Sequence, residues 1–178
     1  MRREALLLLD AKGDILETAR EVSRALANLE GRAAVVGGIA VVLNGYVRTT
    51  VDVDVYVEGS LTLAAKAIQE LGFQHDPIRR EFVRRSIPIH FVTARQVPDS
   101  PKRIVEIEGV RTVSLEDLIA MKLRSGTANL LRAIDLADVI GLIRANQLKT
   151  SFASRLPKDL RDGFRRIVKA IADEPDRR

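Results

Sequence analysis

Hydrophobic and polar positions alternate along this chain in two distinct rhythms, and the change from one to the other outlines its architecture. Ile15, Ala19, Val22, Leu26 and Leu29 fall on one helical stripe, and Asp14 with Glu17 makes a capping-box pattern, so a helix is expected over 14–29. Gly31 should end it. A short strand is expected over Ala33–Val36, a helix from Ile39 to Leu43, a strand over Asp52–Val57, and a helix opened by Gly59-Ser60 and stopped by Gly72 after Leu71.

From Phe73 to Ser114 the pattern turns β-like: runs at Glu81–Arg84, Ile87–Thr93, Arg103–Glu108 and Val110–Val113 are broken by Pro77, Pro88, Pro98 and Pro101. Val97–Pro101 is the expected lid or irregular crossing. Helical spacing returns at Ser114-Leu-Glu-Asp117, a second capping box, with Gly126 expected to close that helix and Asn129 to start another running to about Asn146. A final helix is expected with Pro157 at its first position and Leu160, Phe164, Ile167, Val168 and Ile171 on its inner stripe; the tail from Asp173 to Arg178 should fray. The resulting order predicts an α/β (α+β) fold: a small mixed β-sheet flanked by helices over 1–113, then a helical C-terminal region over 114–178 packed on that core.

Within this frame one stretch carries chemistry. Gly37-Gly38 follows a strand and opens a helix, where glycine permits a sharp turn and leaves backbone N–H groups open to a phosphate. Val51-Asp-Val-Asp-Val-Tyr-Val57 alternates so that Asp52 and Asp54 share a strand face. Two like charges at such positions repel unless something compensates, and Mg2+ with its preference for oxygen ligands is the natural compensator. Taken singly, a Gly-Gly pair is mostly a turn and an Asp-x-Asp mostly a solvated sheet face.

Composition narrows the class. The 178 residues are 46% apolar and 30% charged, which is globular, and 4% aromatic with no Trp, which gives an aliphatic core. Cysteine is absent, excluding disulfides and thiolate metal sites, and with only His75 and His90 for imidazole, zinc is not the expected ion. The apolar run in Met1–Asp10 is too short for a signal-peptide core and no stretch reaches membrane-spanning length, so a cytoplasmic protein without a membrane partner is expected. A net charge of +5 suits a polyanionic partner, or simply a solvated basic surface. Arg79, Arg80, Arg84 and Arg85 could meet a triphosphate or an RNA backbone, or guard an edge strand.

The order strand, Gly37-Gly38, helix, Arg48-x-Thr50, Asp52-x-Asp54 resembles the signature of the DNA polymerase β-like nucleotidyltransferase superfamily. A second stretch, with Lys122, Arg132, Asp135 and Asp138, resembles a motif of the minimal and abortive-infection type II toxin-like nucleotidyltransferases, from which Ser125 and Ile134 depart. The resemblance implies transfer of a nucleoside monophosphate from a nucleoside triphosphate to a hydroxyl of tRNA or protein, with one or two Mg2+ ions held by Asp52 and Asp54. It implies nucleotide contacts at Gly37, Gly38, Arg48, Thr50, Arg132 and Asp135, a charge-offsetting role for Arg48 or Lys122, and a toxin–antitoxin or phage-defence setting with a cognate partner.

Members of the superfamily carry a third carboxylate on a later strand, and in Ile87-Pro-Ile-His-Phe-Val-Thr93 its position is taken by His90. A neutral histidine can serve as general base near pH 7. The same substitution is also what a catalytically degenerate module, binding a nucleotide or a protein partner, would show. His90 as a plain structural residue is the simplest reading, and a basic RNA-binding domain is disfavoured by the lack of interleaved aromatics.

Overall fold

The computed structural model describes residues 14–29, 31–97 and 100–174. The expectations for Met1–Asp10, for Pro98 and Asp99 inside the proposed lid, and for the last four residues lie outside them. The chain divides into two compact units, one over Met1–Leu43 and Val47–Ser114, the other over Asn44–Tyr46 and Leu115–Arg178.

The first unit is built on one seven-stranded sheet. In chain order its elements are α1 (Asp14–Leu26), β1 (Gly31–Val36), α2 (Gly37–Leu43), β2 (Val53–Gly59), α3 (Leu61–Glu70), β3 (Gln74–Asp76), β4 (Glu81–Arg84), β5 (Ile87–Thr93), β6 (Ile104–Ile107) and β7 (Val110–Val113). The strands lie in the order β3-β4-β5-β2-β1-β7-β6. Pairing is parallel for β2 with β5 and for β1 with β7, and antiparallel elsewhere, so the sheet is mixed as expected but larger than a small sheet.

Alternation sorts the strand residues between its faces. Val53, Val55 and Val57 of β2, Ala33 and Val35 of β1 and Ile89 of β5 join Ile15, Leu16, Ala19 and Val22 of α1 and Ala64 and Ile68 of α3 in one core. Each fully buried aliphatic chain contributes about 1.5–3 kcal/mol relative to exposure. Ser60 caps α3, its Oγ accepting from Leu63 N–H at 3.3 Å.

Two tight hairpins fix the register. Arg85 and Ser86 both take positive φ (52° and 64°) between β4 and β5, and Glu108 with Gly109 (51° and 74°) does the same between β6 and β7. Paired left-handed residues form the two-residue turn whose twist matches that of the strands. β4 lies inside the sheet, with β3 and β6 at its edges, so Arg84 guards no edge, while Arg79 and Arg80 lie in the turn that follows the edge strand β3. Arg84 is engaged: it donates to the Leu71 carbonyl at 2.7 Å, pairs with Glu21, and lies 4.5 Å above the Phe73 ring.

The second unit is helical: α4 (Leu115–Ala128), a 3-10 turn at Leu130–Arg132, α5 (Ala133–Ala145), 3-10 segments at Thr150–Arg155 and Lys158–Leu160, and α6 (Arg161–Ala172). Three sequence expectations are corrected here. Gly126 does not cap α4; it lies buried within it, where a Cβ would meet Leu136 Cγ at 2.7 Å, so glycine lets α5 approach. Asn129 caps the 3-10 turn through its side chain, which accepts from Leu131 N–H at 2.9 Å, and α5 begins only at Ala133. Pro157 precedes a 3-10 turn rather than opening α6.

Candidate active site

The glycine turn and the aspartate strand meet directly. β1 and β2 are antiparallel neighbours, with Val36 opposite Asp54, so the chain leaving β1 at Gly37 passes beside that carboxylate. Gly37 has φ +64°, and a Cβ there would sit 2.0 Å from Asp54 Oδ2. A Cβ on Gly38 would sit 2.4 Å from Thr50 Oγ1 and 3.0 Å from an Arg48 guanidinium nitrogen. Neither position admits a side chain without displacing a motif residue.

Asp52 lies just before β2 instead of within it, and Val51 beside it is exposed, so the alternation expected from Val51 begins only at Val53. The Thr50 hydroxyl donates to Asp52 Oδ1 at 3.1 Å, and Arg48 donates to the Thr49 carbonyl at 2.9 Å. These local bonds hold the segment in place of a sheet ladder.

β5 runs parallel to β2 with His90 in register with Asp54. His90 Nδ1 lies 3.6 Å from Asp52 Oδ2 and 3.6 Å from Asp54 Oδ1. Its other nitrogen, Nε2, lies 3.0 Å from Glu81 Oε2 on β4. Asp52, Asp54 and His90 each offer a ligand atom within 4.8 Å of the others, and their side chains remain 32%, 27% and 35% exposed, open enough to admit a substrate. Further along the same side of β2, the Tyr56 hydroxyl donates to Ser100 Oγ at 2.7 Å, and burial pushes this phenol above its ordinary value, leaving it neutral.

The second motif assembles in the helical unit. Lys122 lies on the inner stripe of α4, with Nζ 2.6 Å from Asp135 Oδ1 and 2.9 Å from Asp138 Oδ2. Arg132 Nε donates to Asp135 Oδ2 at 2.8 Å and to Ser125 Oγ at 3.2 Å. Lys122, Asp135 and Asp138 are buried, while the Arg132 side chain is largely exposed. Burial alone would raise the Asp135 pKa, but hydrogen bonds from Lys122, Ser125 and Arg132 and the Lys122 charge prevail, and it is lowered.

Residues 13–165 match the family described as nucleotidyltransferase of unknown function, DUF6036. The chain belongs to this family. No curated protein sequence matches it. Among solved structures, the DUF6036 chain is similar to an antigenic nucleotidyltransferase-like protein from Paracoccidioides brasiliensis, with 17% identity, 88% of each chain covered and a TM-score of 0.55. It is similar to JHP933 from Helicobacter pylori at 17% identity over 93% of this chain and 79% of that one, TM-score 0.55. It also resembles the antibiotic-resistance factor ANT(2'')-Ia at 11% identity, over 89% and 95% of the two chains, TM-score 0.51. At such identities the likeness is one of fold, and the fold is that of nucleotidyltransferases.

In this DUF6036 chain the first unit brings together Gly37, Gly38, Arg48, Thr50, Asp52, Asp54 and His90, and the second brings together Lys122, Arg132, Asp135 and Asp138. Sequence reasoning missed Glu81. A two-residue turn at Arg85-Ser86 pairs Arg84 with Ile87 and Phe82 with Ile89, which carries Glu81 across from His90, so an assumed tight hairpin could have found it. The donor set fits a divalent cation: Asp52 and Asp54 supply carboxylate oxygens close together, with Asp52 Oδ1 steadied by Thr50.

Proposed function

We propose that this chain transfers a nucleoside monophosphate from a nucleoside triphosphate to a hydroxyl acceptor on tRNA or protein, with pyrophosphate leaving. The observation that carries this reading is the packing of Gly37 against Asp54 and of Gly38 against Thr50 and Arg48, which joins all parts of the first motif in one place. A nucleotidyltransferase family and fold support it.

In this reading the backbone at Gly37 and Gly38 receives the triphosphate through N–H groups that carry no side chain of their own residue. Asp52 and Asp54 hold one or two Mg2+ ions or an equivalent dication. When bound, such an ion supplies a Lewis acid for the transferring phosphoryl group. Arg48 offsets negative charge that develops on the departing phosphates. His90 is close enough to Asp52 and Asp54 to accept the attacking hydroxyl's proton, which replaces the function of a third carboxylate. Lys122 is the charged centre of the helical unit and fixes Asp135, and the exposed Arg132 is the member of that group proposed to contact nucleotide. A cytoplasmic, toxin–antitoxin or phage-defence setting with a cognate partner protein is part of the proposal, as is a separate helical C-terminal region over 114–178. No described helix is long and apolar enough to cross a membrane.

A second reading is favoured by one observation, the imidazole of His90 in place of the third carboxylate: a degenerate module that binds nucleotide or a partner without turnover. Incubating the protein with each labelled nucleoside triphosphate, Mg2+, and either total tRNA or protein separates the two. Label incorporated by wild type and lost on Asp52→Ala/Asp54→Ala establishes the transferase. Nucleotide binding by calorimetry with no incorporation into either acceptor establishes the module.

A further inference from the structure

His90 faces carboxylates on both sides. An ionised carboxylate only accepts hydrogen bonds, so Glu81, 3.0 Å from Nε2, takes one from that nitrogen and leaves Nδ1 on the side of the aspartates. Nδ1 lies 3.6 Å from both Asp52 Oδ2 and Asp54 Oδ1, beyond hydrogen-bond reach. These three donor atoms lie within 4.8 Å of one another, a spacing that one metal ion can span. Glu81 is itself buried, and its second oxygen faces Arg79 Nη1 at 3.7 Å, so the ring is gripped from behind by a constrained carboxylate. A histidine whose far nitrogen donates to a carboxylate while its near nitrogen joins other ligands is the arrangement by which proteins orient metal-bound imidazoles.

We propose that His90 is a metal ligand, that with Asp52 and Asp54 it forms a two-oxygen, one-nitrogen donor set selecting a first-row transition dication over Mg2+, and that Glu81 is the positioning residue that fixes the ring. The proposal rests on the nucleotidyltransferase reading of the same site but exchanges the base role of His90 for that of a ligand, because a ring with Nδ1 on an ion and Nε2–H on Glu81 has no lone pair left for the acceptor's proton. Mg2+ prefers an all-oxygen shell, whereas imidazole nitrogen favours the softer first-row dications. Replacing a third carboxylate by imidazole therefore shifts selectivity toward such ions.

The test uses the full chain and Mn2+ in the absence of nucleotide. Free Mn2+ is followed by electron paramagnetic resonance during titration, with Mg2+ as competitor, and the bound ion is examined by pulsed methods for coupling to nitrogen-14. Expected are nitrogen coupling in the wild type and a preference for Mn2+ over Mg2+ of roughly tenfold or more. His90→Asp should lose the coupling and shift preference toward Mg2+. Glu81→Gln should keep the coupling but weaken Mn2+ binding by about 10–100-fold. Circular dichroism confirms that each variant is folded, and His90→Gln replaces His90→Asp if the latter is not. Bound Mn2+ without nitrogen coupling, or no Mn2+ binding by wild type, overturns the proposal. Nitrogen-coupled Mn2+ in a protein that transfers no nucleotide would sink the transferase reading alone, and transfer with Mg2+ but no coupling would sink this inference alone.

Discussion

Gly37 and Asp54 are separated by sixteen residues of chain, yet a single methyl group on the first would lie 2.0 Å from Oδ2 of the second. Glycine is therefore required at 37 twice over, by its φ of +64° and by the carboxylate that occupies the space of its side chain. Gly37→Ala is expected to leave the sheet intact by circular dichroism but to weaken dication binding by about tenfold or more, since Asp54 must swing away. Unchanged affinity in a folded variant would show that the contact is incidental.

Lys122 sits between Asp135 and Asp138 in a buried cluster. Removing the cation leaves carboxylates in a medium that solvates them poorly, and breaking such a buried pair costs about 3–5 kcal/mol. Lys122→Met should lower the urea midpoint accordingly, and Lys122→Met/Asp135→Asn/Asp138→Asn should recover a large part of the loss because the stranded charges are gone. A single-variant loss near zero would mean that the cluster is solvated.

The same cluster sets an acid limit. The Asp135 pKa is lowered from its ordinary 3.8 on folding, so its ionised form stabilises the native state at pH above that value. This stabilisation is lost as pH falls through the folded pKa. Wild type should therefore lose stability below about pH 4 more steeply than Asp135→Asn, as measured by thermal melts from pH 6 to 2.5. Parallel curves for the two proteins would contradict the assignment.

In α5, Gly141 is packed under the Tyr46 ring, where a Cβ would approach ring carbons at 2.3 Å. Gly141→Ala should cost about 1–3 kcal/mol by overpacking despite alanine's better helix propensity. Trimming the ring with Tyr46→Leu should make the double variant less destabilised than the sum of the single changes, read by denaturant titration.

Much of this was legible in the chain because local pattern and tertiary structure agree. α1 ends at Leu26 against an expected 29, and β5 occupies Ile87–Thr93 as anticipated, because their apolar periodicities match the faces they bury. The meeting of Gly37-Gly38 with Asp54, Thr50 and Arg48 was foreshadowed by motif order. The short strand β3 was not visible, since Gln74-His-Asp76 has no apolar alternation and exists by pairing with β4. Gly126 misled because a glycine near a helix end resembles a cap, whereas here it serves a close approach by Leu136 that only packing reveals. Glu81 was missed for a related reason: its importance comes from the turn that sets it opposite His90, not from its neighbours in sequence.

The most direct test of the central claim is nucleotide transfer itself. Each labelled nucleoside triphosphate is incubated with divalent cation, total tRNA or protein, and either wild type or Asp52→Asn/Asp54→Asn, a change that removes two charges while keeping side-chain shape. The account predicts acceptor labelling and pyrophosphate release by wild type, reduced by at least about a thousandfold in the double variant, on the order of 4 kcal/mol of transition-state stabilisation. Labelling that persists undiminished in the folded double variant would contradict it, because the two carboxylates around which the site is built would then have no part in the reaction.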